Sequence, residues 1–417
     1  MPAQSLFDLS PALRLMLMGL AVALGPLAWV WVRNKQAPAA RRLRVLTLVT
    51  LFLTFDLVVF GAFTRLTDSG LGCPDWPGCY GSASPLGAKL QIEAAQSALP
   101  TGPVTHPKAW IEMIHRYLAT GVGVLILTLT MAAWAAHRSS HSTASLLGGQ
   151  RVTRSKERRG QISPWWPAFT LLWVCLQGAF GAFTVTMKLF PAIVTLHLLG
   201  GLVLLALLRA QTVFYEQSES RAQHRSKSRL IGLGAKRLLV AGLVLLWLQI
   251  ALGGWVSTNY AVLACTDFPG CQGSLWPAMD FAQAYTLWRE LGAAGGADGG
   301  NLTFQALTAI HYVHRLGSYV VFIALAWLAV ALYRQATFRL EARWLAGLLL
   351  LQVATGLGNV LLGWPLAAAV LHTTGAAALV VLLTGVVCSV TGVTRPARPA
   401  TRTEPTAARA TRPRPLA

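Results

Sequence analysis

The sequence predicts an all-α polytopic membrane protein: two pseudo-symmetric four-helix transmembrane bundles in tandem, a parallel repeat, plus one extra N-terminal transmembrane helix. Three observations carry this. Apolar runs of roughly 20 residues, each long enough to span a bilayer, recur along the whole chain. The composition is 54% hydrophobic and only 12% charged, with a mean hydropathy of +0.52, far from soluble usage. A set of landmarks also occurs twice in the same order, which a single bundle does not explain.

The first span runs from Leu13 to Val32. It lacks a basic n-region and is too long for a signal-peptide core. The basic residues after it (Arg33, Lys35, Arg41, Arg42, Arg44) belong on the cytoplasmic side, so the N-terminus is expected outside. The second span, about Val45 to Phe63, leads to a long outer loop, Arg65 to Pro107. The third, about Ala109 to Ala136, returns to a loop with Arg138, Arg151, Arg154, Lys156, Arg158 and Arg159. Spans four and five are about Trp165 to Thr186 and Pro191 to Ala210, followed by Arg221, Arg225, Lys227 and Arg229. The sixth is about Leu238 to Val256. A second outer loop, Ser257 to Thr303, is poor in Lys and Arg. Spans seven to nine are about Phe304 to Tyr333, Leu345 to Leu362 and Leu366 to Val390.

Every Lys/Arg-rich connection then falls on one side of the membrane, as the positive-inside rule requires. The tail from Thr394, rich in Pro, Arg, Thr and Ala, is expected to be disordered and cytoplasmic. The expected divisions are 1–44 for the extra helix and its basic loop, 45–210 for the first bundle, 211–236 for a basic linker, 237–391 for the second bundle and 392–417 for the tail. The formal net charge of +20 sits between spans and in the tail. No aromatic-basic platform accompanies it, so the expected partner is the lipid bilayer and not nucleic acid.

In the repeat, Gly61-Ala-Phe-Thr…Cys73-Pro-Asp-Trp-Pro-Gly-Cys79-Tyr-Gly81 matches Gly253-Gly-Trp-Val…Cys265-Thr-Asp-Phe-Pro-Gly-Cys271-Gln-Gly273 without a gap. His115-Arg116 matches His314-Arg315. Leu176-Gln177…Gly181 matches Leu351-Gln352…Gly356, and Leu196-His197…Gly200 matches Leu371-His372…Gly375. Each unit has an even number of spans, so both have one orientation and are related by an axis along the membrane normal.

Each unit thus carries one His early in its second helix and one early in its fourth. All four helices enter from the outer face, which puts the four rings at similar depth, on the order of 10 Å in. Two imidazoles from facing helices at one depth suit axial ligation of a haem iron, and bundle interiors hold such cofactors. The plainer alternative is interhelical hydrogen bonding. Metal ligation without haem is disfavoured, because no carboxylate or thiol is repeated at that depth. His106, His137, His141 and His224 lie in loops or at span ends and receive no role.

Arg116 and Arg315 follow their histidines and are candidates for haem propionates; a buried ion pair with a neighbouring acid is the equal alternative. Glu112 lies three residues before His115, on the same helix face. Its counterpart is His311. An acid beside one site only points to proton handling or substrate contact there, against the plainer reading that it neutralises Arg116. Cys73/Cys79 and Cys265/Cys271 are Cys-x5-Cys pairs in outward loops, where disulfides persist. A disulfide within each pair is the first reading, and zinc is the weaker one, since no nearby His completes a familiar spacing. A redox or haem-positioning role for the first pair stays open. Cys175 and Cys388 lie inside spans as small hydrophobes.

The Gly61–Cys79 stretch, Glu112-x-x-His115-Arg116, Leu196-His197, His311-x-x-His314-Arg315 and Leu371-His372 together resemble the haem A synthase family of cytochrome oxidase assembly, over about Val45 to Val390. The resemblance implies oxidation of one methyl of haem O to a formyl group, through successive hydroxylations and loss of water. It implies substrate haem between His115 and His197, haem b between His314 and His372, Glu112 as the catalytic acid, and Cys73/Cys79 as the family's outer-loop pair. It further implies haem O synthase as donor; the basic cytoplasmic loops and the lack of a transit peptide favour a bacterial plasma membrane, with the C-terminus cytoplasmic, and electrons are expected to come from or go to an unidentified partner. Whether the chain forms a homo-oligomer stays open. Two features depart from the pattern, the extra first span and the second Cys pair. There is no nicotinamide or flavin fingerprint, and the glycine run Gly292…Gly300 reads as a linker.

A non-enzymatic bis-His dihaem cytochrome b is the runner-up, disfavoured by the Glu112/His311 asymmetry. A parallel-repeat transporter would want broken midplane helices, and none is evident.

Overall fold

The computed structural model describes residues 10–146, 163–222, 229–289 and 302–391. The expected tail from Thr394, the Gly292…Gly300 run, His224 and the basic residues Arg151, Arg154, Lys156, Arg158, Arg159, Arg225 and Lys227 lie outside these residues. The described chain is all-helical. Its α-helices are α1 (Ser10–Arg33), α2 (Ala39–Leu66), α3 (Lys89–Ala98), α4 (His106–Leu146), α5 (Trp165–Thr186), α6 (Pro191–Ala222), α7 (Leu233–Thr258), α8 (Phe281–Ala284), α9 (Phe304–Tyr333), α10 (Arg339–Leu361) and α11 (Leu366–Thr391). Nine of them are long and apolar enough to cross a membrane. Only α3 and α8 are not, and both lie in the outer loops.

Helix bounds exceed the hydropathy spans where polar helix formers continue the turn. α4 runs to Leu146, past Ala136, and α6 runs to Ala222, past Ala210. In α6 the residues Gln211, Glu216, Gln217 and Glu219 favour helix outside a bilayer as well as within it, and hydropathy registers only the apolar part. The first outer loop contains α3, which buries only Ile92. The second contains α8, capped by Asp280, whose Oδ1 accepts the N–H of Gln283 at 3.0 Å.

α2, α4, α5 and α6 pack in a ring, and α7, α9, α10 and α11 repeat it. The halves meet reciprocally: α11 touches α2 as α6 touches α7, and α6 packs on α11. This is the pattern of a two-fold axis along the bundle. α1 lies outside the repeat against α4 and α2. Its approach to α4 is close, since a Cβ at Gly19 would stand 2.4 Å from Thr120 Cγ2.

One continuous apolar core fills the part of both halves away from the disulfide loops, including Leu125, Leu129, Leu205, Leu208, Leu325, Leu328, Val380 and Leu383. Separate small clusters sit under each outer loop, around Met113 and Tyr117 in one half and Trp255 and Ile310 in the other. At the outer face, Arg65 Nη2 donates to Ser257 O at 2.7 Å, and Tyr260 OH donates to Asp68 Oδ1 at 3.0 Å. The Arg65 guanidinium lies 4.2 Å from the centroid of the Tyr260 ring.

Candidate functional site

Both Cys-x5-Cys loops close as disulfides, Cys73–Cys79 and Cys265–Cys271, with Cα atoms 4.8 Å apart in each. Each loop then folds on its own aspartate. Asp75 accepts the N–H groups of Tyr80 and Gly81. Asp267 accepts those of Gln272 at 2.7 Å and Gly273 at 2.9 Å. The Gly273 N–H, seconded by that of Gln272, holds the Asp267 carboxyl below the usual range. The first loop presses directly on α4: a Cβ at Gly72 would stand 2.4 Å from the Lys108 carbonyl carbon.

An arginine from the helix beneath fastens each loop. Arg116 donates to the carbonyls of Asp75 (2.9 Å), Pro77 (3.2 Å) and Gly78. Arg315 donates to the matching carbonyls of Asp267 (2.9 Å) and Gly270, and to Cys265 O at 3.3 Å. A guanidinium presents five donors in a rigid fork, which suits several carbonyls at once. Both arginines are buried; Arg315 reaches its loop, and Arg116 reaches its loop and also Glu112 on its own helix.

Glu112 is 4% exposed. One carboxylate oxygen pairs with Arg116 Nη2, and the other accepts the Cys73 N–H at 2.8 Å. The acid beside His115 therefore has the neutralising partner of the plainer reading, together with a bond to the disulfide loop. At the same place in the second half, His311 is buried and its Nδ1 lies 3.0 Å from Ala261 O. A carbonyl only accepts, so Nδ1 carries the proton there.

The four repeated histidines form one pair per bundle. His115 (α4) and His197 (α6) lie within electrostatic reach of each other, as do His314 (α9) and His372 (α11). In each half the ring on the second helix packs on a glycine of the first. A Cβ at Gly61 would stand 3.0 Å from Cε1 of His115, and one at Gly253 would stand 2.9 Å from Cε1 of His314. Phe60 stacks on His115 with ring centroids 6.3 Å apart.

The residues fit a haem. Among the described residues, no protein hydrogen bond uses Nε2 of any of the four histidines, which leaves those nitrogens for a metal. No three His, Cys, Asp or Glu side chains converge among the described residues. Two imidazoles complete an iron's coordination only where a macrocycle supplies the other donors.

Beyond Nε2 the pairs differ. Gln249 Nε2 lies 3.0 Å from His314 Nδ1 and donates to His314 O at 2.8 Å. Thr355 Oγ1 lies 2.9 Å from His372 Nδ1, and Gln352 Nε2 donates to His372 O at 2.9 Å. In the first half, Nδ1 of both His115 and His197 is buried without a hydrogen-bond partner among the described residues. Sequence reasoning missed Gln249 and Thr355. The signal was present in the repeat, where Leu57 stands against Gln249 and Phe180 against Thr355.

A family model described as cytochrome oxidase assembly protein (COX15-CtaA) matches residues 44–384. The chain belongs to this family. Its relatives include proteins named heme A synthase. The one from Shewanella oneidensis is 37% identical over 335 residues, 80% of this chain and 92% of that protein. The one from Mesorhizobium japonicum is 28% identical over 345 residues, 78% of this chain and 84% of that protein. In the cytochrome oxidase assembly family's terms, both loops, all four paired histidines and Glu112 fall inside the matched stretch, whereas α1 falls before it.

Proposed function

We propose that this protein is a haem A synthase, a membrane oxidoreductase that converts the methyl group of haem O to the formyl group of haem A for cytochrome oxidase. Family membership supports the activity. The observation that carries the division of labour is that, among the described residues, only one of the two histidine pairs has a carboxylate beside it.

His115 and His197 would hold the substrate haem, and His314 and His372 a resident haem b. The bound haems supply the redox chemistry. The chain's own part is to ligate, orient and manage protons. Each hydroxylation of the methyl group breaks a C–H bond, and loss of water from the doubly hydroxylated carbon gives the formyl group, so protons move at the reacting carbon. Glu112, three residues from His115, is the carboxylate positioned to take one, with Arg116 holding it in place. Arg116 and Arg315 would reach propionates only with N–H groups that the loop carbonyls leave over. The disulfide loops would act as lids fastened over each pair.

Electrons come from or go to a separate partner, since the sequence carries no nucleotide-cofactor fingerprint, and haem O synthase is the natural donor of substrate. The basic connections support an orientation with the N-terminus of α1 outside and the C-terminus cytoplasmic, in a bacterial plasma membrane.

The test is to extract and chromatograph the haems of the purified protein and record its pyridine haemochrome spectrum. Haem b together with haem O or haem A is the expected result. Haem b alone would favour an electron-transfer cytochrome. No haem, from cells able to make it, would overturn the reading.

A further inference from the structure

We propose that Thr355 is a positioning residue that makes the second bundle's haem a resident, and that Phe180 in its place leaves the first pair able to release its haem. The proposal rests on the reading that each pair binds haem.

The hydrogen bonds around Thr355 have a definite direction. Its Oγ1 lies 2.7 Å from Leu351 O and 2.9 Å from His372 Nδ1. The carbonyl can only accept, so the hydroxyl proton points to it. Oγ1 therefore accepts from Nδ1–H of His372. That selects one tautomer and leaves the lone pair on Nε2, the nitrogen an iron needs. The ring is held at its rear edge by Thr355 and at its backbone by Gln352. Gln249 Nε2 donates to the carbonyl of its partner His314 and lies 3.0 Å from His314 Nδ1; an amide nitrogen only donates, so this contact holds the helix and the ring without the acceptor that Thr355 gives His372.

The first bundle has neither device. Phe180 and Leu57 occupy the corresponding positions, and Nδ1 of both His115 and His197 has no partner among the described residues. An outer partner at a ligand's second nitrogen orients the ring and raises its basicity, and its loss typically lowers metal affinity 10–100-fold. A cofactor that stays gains from that grip. A haem that must enter as substrate and leave as product is better served without it. The asymmetry therefore sets which site exchanges, independently of Glu112.

The experiment uses the full chain purified in detergent. Thr355→Val keeps the shape and removes the hydroxyl. Transfer of haem b to excess apomyoglobin is expected to accelerate about 10–100-fold, with a more positive midpoint potential, because the ligand loses electron density. Thr355→Ser restores both. The reverse change, Phe180→Thr, slows release of the first-site haem, identified by chromatography. If Thr355→Val matches wild type in release rate and potential while His372→Ala empties the second site, the proposal falls and the haem reading survives. A wild-type second site without haem overturns both.

Discussion

In the first bundle Arg116 reaches up to the carbonyls of Asp75 and Gly78. In the second, Arg315 reaches the carbonyls of Asp267 and Gly270 in the same way. One turn earlier the halves part company, with Glu112 bonded to Arg116 and Cys73, and His311 bonded to a carbonyl. The rings themselves differ as well: His314 and His372 are held at Nδ1 and their counterparts are not. The repeat is thus strict where a loop must be fastened and loose where a histidine must be tuned. Duplication supplied a scaffold, and the chemistry lies in the differences.

The largest expected effect comes from the histidines. His115→Ala or His197→Ala is expected to abolish haem A formation while haem b remains bound. His314→Ala or His372→Ala is expected to lose haem b itself. Haem extraction from each variant reads this directly, and an equal loss of both haems from either pair would erase the division of labour.

Glu112→Gln comes next. Glutamine still accepts the Cys73 N–H, so the loop stays anchored and only the charge and proton site go. Haem A formation should fall about 10²–10⁴-fold, the usual weight of general acid–base catalysis, with haem b content unchanged. Full haem A yield from this variant would reduce Glu112 to the loop-holding role that His311 plays in the other half.

The disulfides should give the smallest and most even effect. Replacing both cysteines of either pair with Ser is expected to lower stability by about 2 kcal/mol, as chain-entropy reasoning gives for so short a loop. Thermal denaturation in detergent measures it. A fall in haem A formation confined to the Cys73/Cys79 variant, out of proportion to its lost stability, would mark that pair as redox-active.

Much of this was legible in the sequence, because hydropathy and a duplicated Cys-x5-Cys landmark are one-dimensional signals. The nine spans, the two halves and the matched histidines came from them. The roles of Arg116 and Arg315 did not, since a guanidinium suits a propionate, a carboxylate or three carbonyls equally well. Only the folded loop above decides. The helical ends beyond Ala136 and Ala210 escaped because hydropathy stops where helix propensity does not. Thr355 and Gln249 escaped for a different reason: a repeat shows itself by what its copies share, and these two residues are where the copies differ.

The contacts between Arg65 and Ser257, and between Asp68 and Tyr260, have a consequence for ancestry. In the repeat, residue 65 is the counterpart of 257, and 68 is the counterpart of 260. Each residue here touches its own twin, as happens beside the axis of a homodimer. In a dimer of identical subunits, an arginine at this spot would face an arginine and an aspartate an aspartate, and like charges would push the halves apart. A single gene encoding both halves escapes that veto, because either twin can mutate alone. The liberty that leaves one arginine and one aspartate at the seam, where identical twins would carry two of each, is the same one that lets one site keep an acid and the other an imidazole.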